Sequence, residues 1–410
     1  MRTAYTFGGN NSLSRDKLNY ASGSVKNIHY GDVHTKFSTH FDITKEQVPF
    51  INEAELGSIR ENSFCTEGDL IFADASEDLA DIGKCMEIVN LNGERIVSGL
   101  HTILARPNEG RIARGFGGHL FRSSLVRRQI QKEAQGAKVQ GISAKRLQNL
   151  LLALPTSLPE QQKIADCLSS ADVLIAAQGR KVEALRAHKK GLMRQLFPQE
   201  GETQPRFRFP EFRGAAEWEE RKVGSICDIQ RGKFSHRPRN DPAFFGGKYP
   251  FIQTGDVVKS EGGAVVGSQS LNEKGLSVSK LFKPTIVLIT IAANIGDTGL
   301  LKMEACFTDS VVGLIPKKNV TPVFLELIMR GRKEYLNKVA TTGAQKNINN
   351  DILREVDVLL PSVPEQKRIA DCLTFLDDLI AAESKKLDTL KTHKKGLMQQ
   401  LFPQVGEVDT

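Results

Sequence analysis

Between Gln230 and Asn240 the chain reads Gln230-Arg231-Gly232-Lys233-Phe234-Ser235-His236-Arg237-Pro238-Arg239-Asn240, its most basic loop. Arginine can bond bidentately to guanine, lysine and arginine neutralise phosphate, and Asn or Gln suits adenine. Arg231, Lys233, Ser235, His236, Arg237 and Arg239 are therefore candidate DNA contacts, against the plainer reading of a solvated basic loop. A less charged stretch, Gly8-Gly9-Asn10-Asn11-Ser12-Leu13-Ser14-Arg15-Asp16-Lys17, offers Asn10, Asn11 and Arg15, although Gly-Asn-Ser runs are also ordinary turns. A second kind of loop occurs twice, at 136–141 and 341–350. Glycine permits close backbone approach there, and Lys138, Gln140, Gln345, Lys346 and Asn347 supply donors. Ser143 and Asn349 next to these loops fit helix caps equally well.

Other chemistries lack their residues. Gly232-Lys233 is no P-loop, because position 227 is cysteine where the first glycine is required. A self-contained DNA methyltransferase needs a Gly-rich S-adenosylmethionine loop and an Asn/Asp-Pro-Pro-aromatic site, and Asp241-Pro242-Ala243-Phe244 lacks the second proline. The cysteines at 65, 85, 167, 227, 306 and 372 stand far apart without histidines at ligand spacing, which disfavours zinc fingers and a disulfide framework and fits a reducing cytoplasm. Cys167 and Cys372 read as packing residues near a helix seam, and Arg122, Arg127 and Arg128 as solvent-facing or phosphate-touching cations. A net charge of +8 favours a polyanionic partner. No apolar run approaches the roughly 20 residues that cross a bilayer.

The elements that must position these loops are organised by a repeat. Pro159-Glu160-Gln161-Gln162-Lys163-Ile164-Ala165-Asp166-Cys167-Leu168 returns 205 residues later as Pro364-Glu365-Gln366-Lys367-Arg368-Ile369-Ala370-Asp371-Cys372-Leu373. Between 159–199 and 364–404, 26 of 41 positions are identical, too many for chance and enough to establish a duplication. Each copy reads as one long helix with proline in its first turn and Phe-Pro after its end. Ile164, Leu168, Ile175, Leu185 and Leu192 mark a heptad seam that Ile369, Leu373, Ile380, Leu390 and Leu397 repeat. Gln178 and Lys189 interrupt the first seam where Glu383 and Lys394 interrupt the second. Two such helices in one chain predict an antiparallel coiled coil with each other. The alternative is separate amphipathic helices packed on their own domains.

The sequence before each helix is related more faintly. Tyr30-Gly31-Asp32-Val33 parallels Thr254-Gly255-Asp256-Val257, and Gly68-Asp69-Leu70-Ile71-Phe72 parallels the stretch from Pro284 to Ile289. Short β-branched strands with glycine turns and a few helices predict α+β units sharing a fold but not a surface.

On these residues the chain resembles the DNA-specificity (S) subunit of type I restriction-modification systems, whose telling signature is Leu-Pro…Pro-Glu-Gln-x-x-Ile-Ala at the head of each helix. The resemblance implies a first target-recognition domain over 1–155, a first spacer helix over 156–204, a second recognition domain over 205–360 and a second helix over 361–410. Trp218-Glu219-Glu220-Arg221-Lys222-Val223-Gly224 looks like the usual lead-in to the second recognition domain, and the first has no counterpart of it. Implied further are a bipartite double-stranded DNA target and no catalysis or bound cofactor in this chain. Two methyltransferase (modification) subunits on the central helices would carry S-adenosylmethionine, with motor-nuclease (restriction) subunits joining through the complex. A coiled-coil scaffold protein, or an orphan specificity subunit retargeting another system, are the alternatives.

Overall fold

The computed structural model describes residues 1–199, 201–341 and 348–402. Its contacts fall into two units: Met1–Lys181 with Glu383–Thr410, and Val182–Ala382. The partition follows the fold and not the chain order, because each unit takes half of each long helix.

The long helices are Leu158–Leu196 and Val363–Leu401, 39 residues each. In the first unit the early turns of one pair with the late turns of the other: Lys394 donates to both Asp172 oxygens, and Gln178 donates to the Glu383 carbonyl (2.9 Å) and carboxylate (2.6 Å). In the second unit Lys189 donates to Asp377. Asp172 and Lys189 lie 205 residues before Asp377 and Lys394, so both ion pairs are one interaction copied, and Gln178 meets its own duplicate position. This is the expected antiparallel pairing. Of the four interruptions, Gln178 and Lys189 are buried, at 7% and 9% exposure, and Glu383 and Lys394 half-buried, each with a hydrogen-bonding partner across the pair. Ile164, Leu168, Ile369 and Leu373 are buried, whereas Ile175, Leu185, Leu192, Ile380, Leu390 and Leu397 are half-buried, since one neighbouring helix cannot enclose a seam.

Each unit carries two principal sheets. In the first, the larger runs in spatial order Tyr5–Phe7, Thr102–Pro107, Leu70–Ala73, Cys85–Asn90, His40–Asp42; in the second, Cys227–Arg231, Val311–Pro316, Ile286–Thr290, Thr298–Leu301. Leu70–Ala73 and Ile286–Thr290 are apolar at nearly every position and wholly buried, as befits strands covered on both faces. The smaller sheets share a parallel pair, Lys26–Ile28 with Ile96–Ser98 and Phe245–Ile252 with Ala305–Phe307. The short helices Tyr30–Thr35 and Thr254–Lys259 follow the first strand of each pair, as the Gly-Asp-Val match predicts, and each buries its aspartate. The α+β expectation holds in both units.

The Pro-Glu-Gln head of each helix has a physical basis. Gln161 is fully buried, donates to the Arg111 and Pro155 carbonyls and accepts from the Ala113 N–H. Gln366 does the same with Asn319, Pro361 and Thr321. One side chain thus ties each helix to its own globular part. The aromatic end is also duplicated: Phe402 packs on Phe116 and Phe197 on Phe324, with ring centroids 5.6 Å apart in both.

Candidate nucleic-acid interface

The basic loop leaves the edge strand Cys227–Arg231 of the larger sheet of the second unit, and 8–17 leaves the corresponding edge strand Tyr5–Phe7 of the first. The two are topological equivalents.

In the second unit the loop backbone is pinned. The Lys233 N–H donates to the Phe307 carbonyl and the Ser235 N–H to that of Val278, each at 3.0 Å, and Ser279 Oγ donates to the Lys233 carbonyl at 2.6 Å. Gly232 is required, because a Cβ there would sit 2.2 Å from the Thr308 carbonyl oxygen. Alternation then drives Phe234 into the core and leaves Lys233 and Ser235 exposed. Asp309 organises the guanidinium groups. Arg239 donates to its carboxylate at 2.7 Å, Arg237 lies 3.6 Å away, and Arg231 donates to its backbone carbonyl. Arg237 also donates to the carbonyls of Phe234 and His236. His236 stacks on Phe244 at 3.9 Å, with Nε2 3.1 Å from Asp241. Two guanidinium groups thus share one carboxylate while a third caps the carbonyl of the same residue, and neither Arg231 nor Lys233 has an ion-pair partner among the described residues. The net positive, half-exposed cluster suits phosphate and base edges. Asp241-Pro242-Ala243-Phe244 is a capped turn, Asp241 accepting from the Ala243 N–H.

The first unit's counterpart differs. Asn10 is exposed and donates to the Thr102 carbonyl. Asn11 corrects the surface expectation: it is 8% exposed, donates to Asn27 and the Ser98 carbonyl, and accepts from the Leu13 N–H. Its amide is committed to the turn. Arg15 pairs with buried Asp32 at 3.1 Å and keeps about half its side chain in solvent.

At 136–141, Lys138 is exposed and Gln140 donates to the Gly136 carbonyl at 2.7 Å. Gly136 takes a φ of +133°, and a Cβ there would overlap the Val139 carbonyl. Ser143 and Asn349 are helix caps, accepting from the Arg146 and Ile352 N–H groups. Gln345, Lys346 and Asn347 lie outside the described residues. Two further expectations are corrected. Arg127 does not decorate a solvent face; its guanidinium donates to the carbonyls of Ala80, Ile82 and Gly83. Cys167 is exposed, since it sits one position off the seam residue Leu168, while Cys372 is half-buried.

Sequence reasoning missed a groove of about 850 Å³ in the second unit. Arg186, Lys190 and Arg194, on one face of the first long helix, line it together with Arg332, Phe197 and Tyr335. The signal was the four-residue spacing of those cations.

The family model for the type I restriction modification DNA specificity domain matches residues 215–392. A Methanocaldococcus jannaschii protein assigned as the MjaX type I restriction enzyme specificity subunit is 26% identical over 95% of this chain and 88% of its own length. The MjaVIII specificity subunit of the same organism is 25% identical over 69% of each. Among solved structures, the type I restriction-modification S subunit from M. genitalium shares the fold with a TM-score of 0.62 at 13% identity, covering 98% of this chain and 95% of that one. A chain from a study of type I system assembly and conformational transition gives 0.56 at 17% identity, covering 96% and 95%.

Proposed function

Taking this chain as a DNA-specificity subunit of the type I restriction-modification family, we propose that it reads a bipartite double-stranded DNA target, one half-site per globular part, without catalysis of its own. Two methyltransferase subunits dock on the paired long helices and bring S-adenosylmethionine, and motor-nuclease subunits join through that complex in the cytoplasm. The observation that carries this reading is a duplicated frame with unlike loops. The glutamine clamp, the Lys–Asp pair and the order of four strands in one sheet are kept in both copies, whereas the exposed loops at equivalent edge strands are cationic in one unit and amide-rich in the other. Equivalent docking faces suit two identical partners, and unlike loops suit two unlike half-sites.

In this reading Arg231, Lys233, Arg237 and Arg239 serve one half-site and Asn10, Arg15, Lys138 and Gln140 the other. The groove beside Arg186 and Arg194 supplies a cationic rim and apolar floor for part of a partner subunit. The test is methylome sequencing of a host with and without this chain, followed by exchange of loop 230–240 for that of a differently specific relative. Expected is a bipartite motif that disappears with the chain, and an exchange that alters one half only. An unsplit motif, or an unchanged methylome, would refute the reading.

A further inference from the structure

We propose that His40, His119 and Asp172 of the first unit bind a divalent transition-metal ion, zinc by the nature of the donors. His40 begins a strand of the larger sheet, His119 lies in the short helix Phe116–Leu120, and Asp172 belongs to the first long helix. Each offers one ligand atom, and the three atoms lie within 4.8 Å of one another. Two imidazoles and a carboxylate, with a fourth position for water, form a donor set that zinc accepts. Zinc bonds of about 2.0–2.1 Å set tetrahedral ligands roughly 3.3 Å apart, so binding requires side-chain movements of about an ångström.

An independent observation points the same way. His119 is fully buried, and its Nδ1 has no hydrogen-bond partner among the described residues, while Nε2 lies 3.2 Å from Ser169 Oγ. The His40 ring stands 4.3 Å from it, its Nε2 held 2.8 Å from the Gly115 carbonyl. A bond of that kind fixes the tautomer and orientation of a ligating imidazole and leaves the other nitrogen for the metal.

The second unit supplies the control. It keeps the ion pair, with Asp377 and Lys189 in place of Asp172 and Lys394. It lacks the imidazoles: matching Phe116 to Phe324 places His119 opposite Leu327, which packs in the core. The frame therefore closes without histidine at that position, and the buried His119 is an addition of the first unit. Without metal, the Lys394 ammonium supplies the positive charge at Asp172; a bound ion takes that place and ties strand, short helix and long helix together.

The test uses the full-length chain, stripped with chelator and dialysed against zinc, with bound metal counted by plasma mass spectrometry and cobalt(II) as a spectroscopic substitute. Expected are one ion per chain, a cobalt spectrum without thiolate charge-transfer bands, and at least tenfold weaker binding in His119→Leu and Asp172→Asn. His119→Leu installs the residue that the second unit already packs, and Asp172→Asn keeps the test open if the first variant misfolds. Failure of the wild type to retain metal, or equal retention in a folded variant, overturns the proposal. Either outcome leaves the DNA-recognition reading standing.

Discussion

Glu160 and Glu365 occupy the same place in the two long helices, yet the first is exposed and the second is 1% exposed. The difference comes from the segment 208–222 of the second unit, which covers one helix head and not the other. Arg208 donates to both Glu365 oxygens at 2.8 and 2.7 Å, Trp218 Nε1 lies 3.3 Å away, and Glu219–Lys222 pairs with the strand Asp357–Leu360 just before the helix. In the first unit 151–155 has no such strand partner and Leu151 is 70% exposed. One helix head thus has two electrostatic fates, decided by what covers it. Glu365→Ala should deprive Arg208 and Trp218 of their shared acceptor while Arg208 keeps the Ala215 and Ala216 carbonyls, at a cost of about 1.5–3 kcal/mol to the second unit. Glu160→Ala should change stability by less than about 0.5 kcal/mol. Trp218 is the one tryptophan in the sequence, so its fluorescence during urea unfolding reports the second unit alone. A Glu365→Ala loss as small as that of Glu160→Ala would break the comparison.

The contrast marks what was legible in the sequence. The helices and their pairing could be read because heptad spacing is local and the duplication supplies an internal alignment. The polar interruptions could be located the same way, but not their partners. Gln161 and Gln366 stood inside the signature without an assigned role, since their bonds go to backbone carbonyls up to 50 residues away. Asn11, Arg127 and Cys167 were misplaced for the same reason: side chains of these types go inside or outside according to tertiary neighbours that spacing does not encode. The meeting of His40 with His119 belongs to the same class. The order of the candidate loops was legible, and their rigidity was not, because Asp309 lies about 70 residues from the arginines it anchors.

A second contrast is set by buried titratable groups. In the first unit burial pushes Glu87 up to about 7 from 4.5, against the pull of the Gly118 and Gly115 N–H groups. Burial also drops His119 to about 2 from 6.5. Glu87 contributes its stability in full below pH 4.5 and loses it as pH rises through 7; His119 contributes fully above 6.5 and loses it as pH falls. Between pH 7 and 5 the two nearly cancel, at about 2 kcal/mol each. In chelator, His119→Leu should remove the largest opposition to Glu87 and leave the lowered His40 as a lesser one, so that the first unit gains up to about 2 kcal/mol from pH 7 to 5 where the wild type stays level or declines. Urea-dependent hydrogen exchange of first-unit peptides measures it, with second-unit peptides as reference. A variant with the wild-type profile would remove the buried histidine as the source of the difference.

The helix pairing should show no such contrast. Asp172–Lys394 and Asp377–Lys189 place a mostly buried lysine against a half-exposed aspartate in both units. Double-mutant cycles should give couplings of about 1 kcal/mol each, equal to within a few tenths. A first-unit coupling larger by more than about 0.5 kcal/mol would show that the neighbouring imidazoles change the pair.

The smallest expected effect bears on the two loops themselves. Lys233 has no acidic partner among the described residues, and its backbone is fixed at both faces. A flexible, strongly hydrated ammonium on a rigid backbone suits phosphate better than a base edge, which favours the planar fork of arginine. Lys233→Ala, assayed in the assembled methyltransferase complex, should weaken binding to all sequences alike and lower the salt slope by about one, leaving the methylated motif intact. Arg239→Ala should instead relax one position of one half-site, since Asp309 holds that guanidinium in a fixed orientation. In the first unit Arg15→Ala should follow the arginine pattern on the other half-site, because Asp32 anchors it in the same manner. If Lys233→Ala shifts the motif while Arg239→Ala changes only the salt slope, the roles within the loop are reversed, and anchoring by Asp309 does not mark a base-reading side chain.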